Sequence, residues 1–270
     1  MSRLAMLLES TGPKPTTYST ASRCRPLNES AINLDFGHRL FVPQNYEPGY
    51  DYPLVVWLHS DASSEMELDH VMAALSTRNY IAIAPRANIK CKGNSRRFRW
   101  GSTTTDCAAA EDLVWDCVQA AADGLSVNTN KIFLAGFGSG GTMAQWIGLK
   151  YARQIAGVVS LSGCYPSAPQ SLSNWKQARN LSVLFAQRQG STICSEDELM
   201  RAVRISHQSG LGFRFWQLRS EEDDAAEANQ LDSTMLDEAN RFIMGIVTNT
   251  ELSLSPEPTS DSECVEFGFN

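Results

Sequence analysis

The chain has 270 residues, of which 43% are hydrophobic, and its formal net charge is −7 at pH 7. This length and apolar content suffice for one large core, and the acidic balance gives no reason to expect nucleic acid or an anionic membrane as a partner. No run approaches the ~20 apolar residues of a membrane span, and Glu9 closes the short apolar run at the N-terminus, which argues against a signal peptide. We expect a cytoplasmic protein.

The predicted elements alternate between strand and helix along most of the chain. A flexible N-terminal segment, rich in Ser, Thr, Pro and Arg, is predicted over residues 1–30. Strands are predicted at 38–42, 53–58, 81–85, 131–136, 156–161, 181–186 and 212–218, and helices at about 64–78, 106–123, 140–152, 195–208 and 231–246. Alternation of apolar strands with helices predicts an α/β fold, with a mostly parallel sheet covered by helices on both faces.

A single domain is predicted over residues 31–247. Residues 248–270 hold five carboxylates and no Lys or Arg, a composition that predicts a disordered acidic tail. The seven cysteines and four histidines are scattered, without a Cys-x-x-Cys pair. Because zinc-ligand spacing is absent, we expect reduced thiols, no metal and no cofactor.

Residues 131–144 read Lys-Ile-Phe-Leu-Ala-Gly-Phe-Gly-Ser-Gly-Gly-Thr-Met-Ala and predict a strand that runs through a tight turn into a helix. In a Gly-x-Ser-x-Gly nucleophile elbow, small flanking residues let a strained turn lift a serine hydroxyl clear of the backbone. Outer glycines at Gly136 and Gly140 put Gly138 in the centre, whereas a centre at Ser139 would put phenylalanine at a small position. The first register fits better, so glycine holds the place of the nucleophile.

Four further segments accompany the elbow in a fixed order. They are Pro53-Leu-Val-Val-Trp-Leu-His59, Tyr80-Ile-Ala-Ile-Ala-Pro-Arg86, Asn130-Lys-Ile-Phe-Leu-Ala-Gly-Phe and Gly157-Val-Val-Ser-Leu-Ser-Gly163. Together with the elbow they resemble the phospholipase/carboxylesterase and dienelactone-hydrolase branch of the α/β-hydrolase family. The resemblance covers residues 38–247 and implies the α/β-hydrolase fold, although fold alone does not settle function.

The resemblance also implies a catalytic triad of serine, acid and histidine, and all three residues are missing. Gly138 stands at the nucleophile position. The acid should follow the strand that ends near Gln187-Arg-Gln-Gly-Ser-Thr-Ile-Cys194, but no Asp or Glu occurs before Glu196. The base should follow the last strand, but no histidine occurs after His207, and the carboxylates at 221–224 are too weak as bases near neutral pH. We therefore predict a degenerate triad.

A residual cleft is implied by the same resemblance. Its oxyanion-hole amides would come from Ser139 and from the loop after His59-Ser60-Asp61, and the helix that opens at Gly140 adds a favourable end for an anion. The predicted cleft residues are His59, Ser60, Asp61, Trp100, Gly138, Ser139 and Gly140. A small acyl or anionic ligand is the expected partner, although the Asp61 carboxylate opposes an anion.

Several roles stay open for individual cleft residues. Ser139 could cap the helix, act as a shifted nucleophile or contact a bound anion. His59 could pack the loop or act as a base, and Trp100 could pack in the core or touch a ligand. Two functions follow: a non-catalytic binding scaffold for a ligand or protein, or a carboxylic-ester or thioester hydrolase that uses Ser139. A base within about 3 Å of the Ser139 hydroxyl would favour the hydrolase.

Overall fold

The computed structural model describes residues 34–166, 178–209, 212–218, 229–250 and 262–266. In this part of the chain the strands are β1 (His38–Phe41), β2 (Tyr52–Leu58), β3 (Ile81–Pro85), β4 (Ile89–Lys90), β5 (Phe98–Arg99), β6 (Val127–Phe137), β7 (Gly157–Leu161), β8 (Ser182–Arg188), β9 (Gly212–Leu218) and β10 (Ser262–Glu266). The helices are α1 (Glu67–Leu75), α2 (Thr104–Gly124), α3 (Ser139–Lys150), α4 (Glu196–Ser209) and α5 (Ser233–Val247).

Eight strands form one sheet in the order β1-β3-β2-β6-β7-β8-β9-β10. The six inner strands are parallel to one another, and β1 and β10 pair antiparallel at the two edges. The predicted mostly parallel sheet is therefore confirmed. The carboxyl ends of its inner strands share one edge, and ligands of open α/β sheets bind at that edge.

Buried clusters cover both faces of the sheet. All seven residues of β2 are buried, and they alternate between the faces, as side chains of a strand must. Leu54 packs in the cluster that includes Trp146 of α3, whereas Val55 packs in the cluster that includes Phe242 of α5. This two-sided burial explains the near-continuous apolar run of the strand and confirms helices on both faces.

The described structure differs from the sequence prediction at two places. The short strands β4 and β5 form a separate two-stranded sheet that the sequence did not predict. In the acidic tail, for which disorder was predicted, Ser262–Glu266 form β10 against β9. The rest of the tail after residue 250 and the predicted flexible segment 1–30 lie outside the described residues. No helix in the described part of the chain has the length and apolarity needed to span a bilayer.

Candidate functional site

Gly138 forms the turn between β6 and α3 with φ 55° and ψ −121°, a conformation that residues with a side chain rarely adopt. Its amide donates a hydrogen bond to the Leu161 carbonyl at 2.8 Å, and its carbonyl accepts one from the Thr142 amide at 3.0 Å. Among the described residues, a Cβ atom built on Gly138 has one neighbour within 4 Å, the Ile193 Cγ2 atom at 4.0 Å. This part of the chain therefore leaves space for a side chain where the sequence supplies none.

The glycines on either side of this turn are required by close packing. A Cβ atom on Gly136 would lie 2.5 Å from the Gly140 carbonyl carbon, and one on Gly140 would lie 1.9 Å from the Leu58 carbonyl oxygen. Neither position can accept a side chain unless the backbone shifts. The packing therefore agrees with an elbow whose outer glycines are Gly136 and Gly140 and whose centre is Gly138.

Ser139 begins helix α3, but its hydroxyl does not cap that helix. The N-cap is Gly138, and no side-chain capping hydrogen bond forms. The Ser139 Oγ atom is buried and has no hydrogen-bond partner among the described residues. The capping role that the sequence allowed for Ser139 is therefore wrong. A hydroxyl reaches the free amides of the first helical turn from the N-cap position, and Ser139 lies one residue past that position. Within the described residues, no base contacts this hydroxyl either.

His59 follows β2 and is completely buried. Its Nε2 atom accepts a hydrogen bond from the Ala87 amide at 3.1 Å, so the proton lies on Nδ1, which donates to the Ser60 carbonyl at 2.8 Å. Burial lowers the pKa of His59 and keeps the ring neutral. Because both ring nitrogens are engaged, His59 packs the loop, and neither nitrogen is left to take a proton from Ser139.

Trp100 lies beneath the same loop. Its side chain is 5% exposed, its Nε1 atom donates to the His59 carbonyl at 2.8 Å, and the two rings lie 5.2 Å apart. Of the two roles that the sequence allows for Trp100, the contacts support core packing. The indole holds in place the backbone that follows β2.

A carboxylate of helix α1 holds the other side of this loop. The Ser60 hydroxyl donates to Glu67 Oε2 at 2.6 Å, and the Ser60 amide lies 3.2 Å from each Glu67 carboxylate oxygen. Trp57 Nε1 donates to Glu67 Oε1 at 2.9 Å. The next residue, Asp61, is exposed, and Ala62 has a φ of 53°. The Ser60 amide is thus already engaged, and any free amide of this loop lies beyond it.

The segments in which the resemblance places acid and base are in contact. Ser191 and Thr192 follow β8, and Asn229 precedes α5. The Asn229 Oδ1 atom accepts hydrogen bonds from the Ser191 hydroxyl at 3.1 Å and the Thr192 amide at 2.9 Å, and Asn229 Nδ2 donates to Thr192 Oγ1 at 2.8 Å. Neutral groups fill this contact. Sequence reasoning missed Asn229, although its position between the last parallel strand and the last helix is a usable signal.

The first carboxylate that follows Asn229 in sequence has other contacts. Asp232 is the N-cap of α5 and accepts from the Met235 amide at 2.9 Å. The same carboxylate forms an ion pair with Arg188 at the end of β8. Capping and ion pairing both use the ionised carboxylate, so Asp232 serves structure here. The acidic residues at 221–224 lie outside the described residues.

The comparisons with known proteins agree with this architecture. A profile of the phospholipase/carboxylesterase family matches residues 103–244. Similar solved structures include a Bacillus cereus carboxylesterase, with 16% identity over 79% of this chain and 96% of that chain and a TM-score of 0.62. Esterase PE8 has 18% identity over 79% of this chain and 100% of that chain, with a TM-score of 0.61.

SOBER1 of Arabidopsis thaliana has 16% identity over 73% of this chain and 99% of that chain, with a TM-score of 0.61. A comparison with the curated proteins gives no match. At these identities the solved structures show the fold alone. The family profile matches more than half of the chain and includes the elbow, the loop after β8 and most of helix α5. The chain belongs to the phospholipase/carboxylesterase family of α/β hydrolases.

Proposed function

We propose that this chain is a non-hydrolytic member of its family that binds a small acyl compound at the elbow. One observation carries the proposal. Gly138 has the strained dihedral angles of the elbow and open space around its missing side chain, so the turn is intact but the nucleophile is absent. Such a turn presents the amides at the start of α3 to a ligand without offering a group that attacks it.

The contacts at the other two triad positions support the same proposal. Proton transfer from a serine needs a base whose pKa suits neutral pH, and the chain has no histidine after His207. The loop after β8 and the segment before α5 are joined through Asn229, Ser191 and Thr192. All three are neutral hydrogen-bonding residues. They can hold the two segments together, but they cannot take up a proton as an imidazole–carboxylate pair does.

The surroundings of Gly138 favour a neutral carbonyl over a free anion as the bound group. Amides at a helix N-terminus stabilise a partial negative charge on a carbonyl oxygen, and Ile193 offers an apolar contact beside the open space. The exposed Asp61 carboxylate lies in the loop after β2, which the resemblance places beside the elbow, and would repel an anion. An acyl amide or ester with a short aliphatic chain fits these three features.

Binding can be tested with butyramide, an acyl compound that a serine hydrolase turns over poorly. We expect saturable changes in the amide resonances of Ser139 and Gly140 on titration, and loss of those changes in Gly138→Leu, whose side chain would fill the open space. The matched control is Gly93→Leu, because Gly93 also has a positive φ and nothing within 4 Å but lies between β4 and β5. Equal binding by Gly138→Leu and wild type would contradict the proposed site.

The second candidate function is an ester or thioester hydrolase that uses Ser139. One observation favours it: the Ser139 Oγ atom is buried without a hydrogen-bond partner among the described residues. Such a group costs free energy, and a catalytic role is one reason for a protein to keep it. A fluorophosphonate probe, with the modified residue mapped by mass spectrometry and Ser139→Ala as control, separates the two functions. Stoichiometric labelling at Ser139 would refute the non-hydrolytic proposal, whereas an unlabelled folded protein would support it.

A further inference from the structure

Three side chains that can ligate metal meet near the elbow, although they are far apart in sequence. Cys164 follows β7, and Cys194 and Glu198 flank the start of α4. One ligand atom of each lies within 4.8 Å of the other two. We propose that this group, the Cys164–Cys194–Glu198 cluster, is a binding site for a thiophilic divalent cation of the zinc class. The proposal is independent of the function proposed for the elbow.

Local hydrogen bonds hold the two cysteine backbones in place. The Cys164 amide donates to Thr142 Oγ1 on α3 at 2.8 Å, and the buried Gln187 side chain donates from Nε2 to the Cys194 carbonyl at 3.0 Å. Neither contact uses the sulfur atoms. These backbone contacts therefore position the two sulfur atoms without engaging them, as supporting contacts do for the ligands of preorganised metal sites.

Glu198 is fixed by a capping box at the start of α4. The Glu198 amide donates to Ser195 Oγ at 3.3 Å, and Glu198 Oε2 accepts from the Ser195 amide at 3.2 Å and from the Ser195 hydroxyl at 3.0 Å. This arrangement engages one carboxylate oxygen and leaves the other available to a cation. A capping box needs only an acceptor at this position and works with glutamine as well, so the role as cap and the role as ligand can be separated experimentally.

The burial of the three groups gives the cluster a solvent side and a protein side. Cys194 is fully buried, Cys164 is half-buried and Glu198 is exposed, so a cation would enter past the carboxylate. Two sulfur donors select zinc, cadmium or similar cations over magnesium and calcium, which prefer oxygen. Three protein ligands leave one position of a tetrahedron for water.

Binding would exchange protons for the cation. Both thiols must lose their protons to act as ligands, and one of these protons now forms the hydrogen bond from Cys164 Sγ to the Ile193 carbonyl at 3.0 Å. Ile193 is also the nearest neighbour of the open space at Gly138. A bound cation would therefore tie the segment after β7, the loop after β8 and α4 together next to Ile193.

The test uses the full chain, reduced and stripped of metal with a chelator, and Co²⁺ as a spectroscopic probe. We expect one equivalent of Co²⁺ to produce thiolate charge-transfer absorption that Zn²⁺ abolishes by displacement. Cys164→Ser and Cys194→Ser should each weaken Zn²⁺ binding by about tenfold to 100-fold or more, since even outer partners of metal ligands have effects of this size. Cys91→Ser is the matched control, because Cys91 is a half-buried thiol outside the cluster, and it should bind as wild type does.

Glu198→Gln distinguishes a ligand from a cap. It should keep the thermal stability of the metal-free protein and lose about tenfold in Zn²⁺ affinity. Unchanged Zn²⁺ affinity in Glu198→Gln would overturn the three-ligand site. So would the absence of charge-transfer absorption in the wild type, or its persistence in the double cysteine variant. The proposal would also be overturned if the reduced protein took up no cation while oxidised glutathione produced a Cys164–Cys194 disulfide. That result would identify the two cysteines as a redox pair only.

Discussion

Asn229 and Thr192 are joined by two hydrogen bonds: the Thr192 amide donates to Asn229 Oδ1 at 2.9 Å, and Asn229 Nδ2 donates to Thr192 Oγ1 at 2.8 Å. The pair connects the loop after β8 to the segment before α5. In a hydrolase of this fold, these two segments carry the acid and the histidine that the resemblance implies. Here an uncharged pair occupies their meeting point and stabilises the carboxyl edge of the sheet.

Asn229→Ala should destabilise the protein because it removes both of these bonds and the bond from Ser191. We expect the free energy of unfolding to fall by about 1–2 kcal/mol, measured by urea denaturation. The matched control is Asn130→Ala, since Asn130 is exposed, and a substitution there should stay within about 0.5 kcal/mol of wild type. Equal stability of the two variants would show that the Asn229 contact does not hold the segments together.

Gly138→Ser should give a folded protein that does not hydrolyse esters. The open space accommodates the side chain, but a residue with a Cβ at φ 55° should cost about 1–2 kcal/mol. No histidine is available in the late part of the sequence to activate the new hydroxyl. The measurement is the rate at which Gly138→Ser hydrolyses p-nitrophenyl butyrate, compared with the rate of Gly138→Ala, which has the same backbone strain but no hydroxyl. Turnover well above the alanine variant would mean that a base had been overlooked.

Gly140→Ala should be among the most damaging single substitutions in the chain. Its Cβ would lie 1.9 Å from the Leu58 carbonyl oxygen, so the elbow would have to separate from β2. We expect a loss of about 3 kcal/mol or more, or failure to fold. Gly190→Ala is the control, because Gly190 has a φ of 79° but nothing within 4 Å and should lose only about 1 kcal/mol from backbone strain. Similar losses at both sites would contradict the packing account.

His59 should make stability depend on pH in the mildly acidic range. Burial lowers its pKa in the folded protein, so the unfolded chain binds the proton more readily. The stability that the neutral ring contributes is complete above the unfolded pKa of about 6.5 and is lost as the pH falls from there towards the folded pKa. The urea midpoint should therefore fall with decreasing pH less steeply in His59→Gln than in wild type. His70→Gln, at an exposed helix position, should keep the slope of the wild type.

The sequence was sufficient for the inner strands of the sheet, because each of them is an apolar run whose length and flanking residues are local signals. Within residues 38–247 the parallel strands and their helices lie within a few residues of their predicted positions. The elbow register rested on the need for small outer residues, and the packing of Gly136 against Gly140, which leaves no room for a Cβ atom, is consistent with it.

Other features depend on contacts that no local pattern encodes. The β4–β5 pair consists of two-residue strands held by pairing with each other and by a bridge from Ser63 to Phe98, so neither strand is long enough to show a period. The Asn229 contact and the Cys164–Cys194–Glu198 cluster both join distant segments, and their geometry exists only after folding. The sequence allowed a capping role for Ser139 because the glycine-rich run does not show that the N-cap lies one residue earlier, at Gly138.

The close approach of Gly136, Gly140 and Leu58 has a consequence for how such motifs are interpreted. The glycines of such a motif are required by contact between a helix and two neighbouring strands, whether or not a reaction takes place there. Selection for folding alone would therefore preserve the spacing of the outer glycines, whether the residue between them is serine or glycine. Glycine spacing in such a motif reports on architecture, and turnover has to be judged from the nucleophile, base and acid positions.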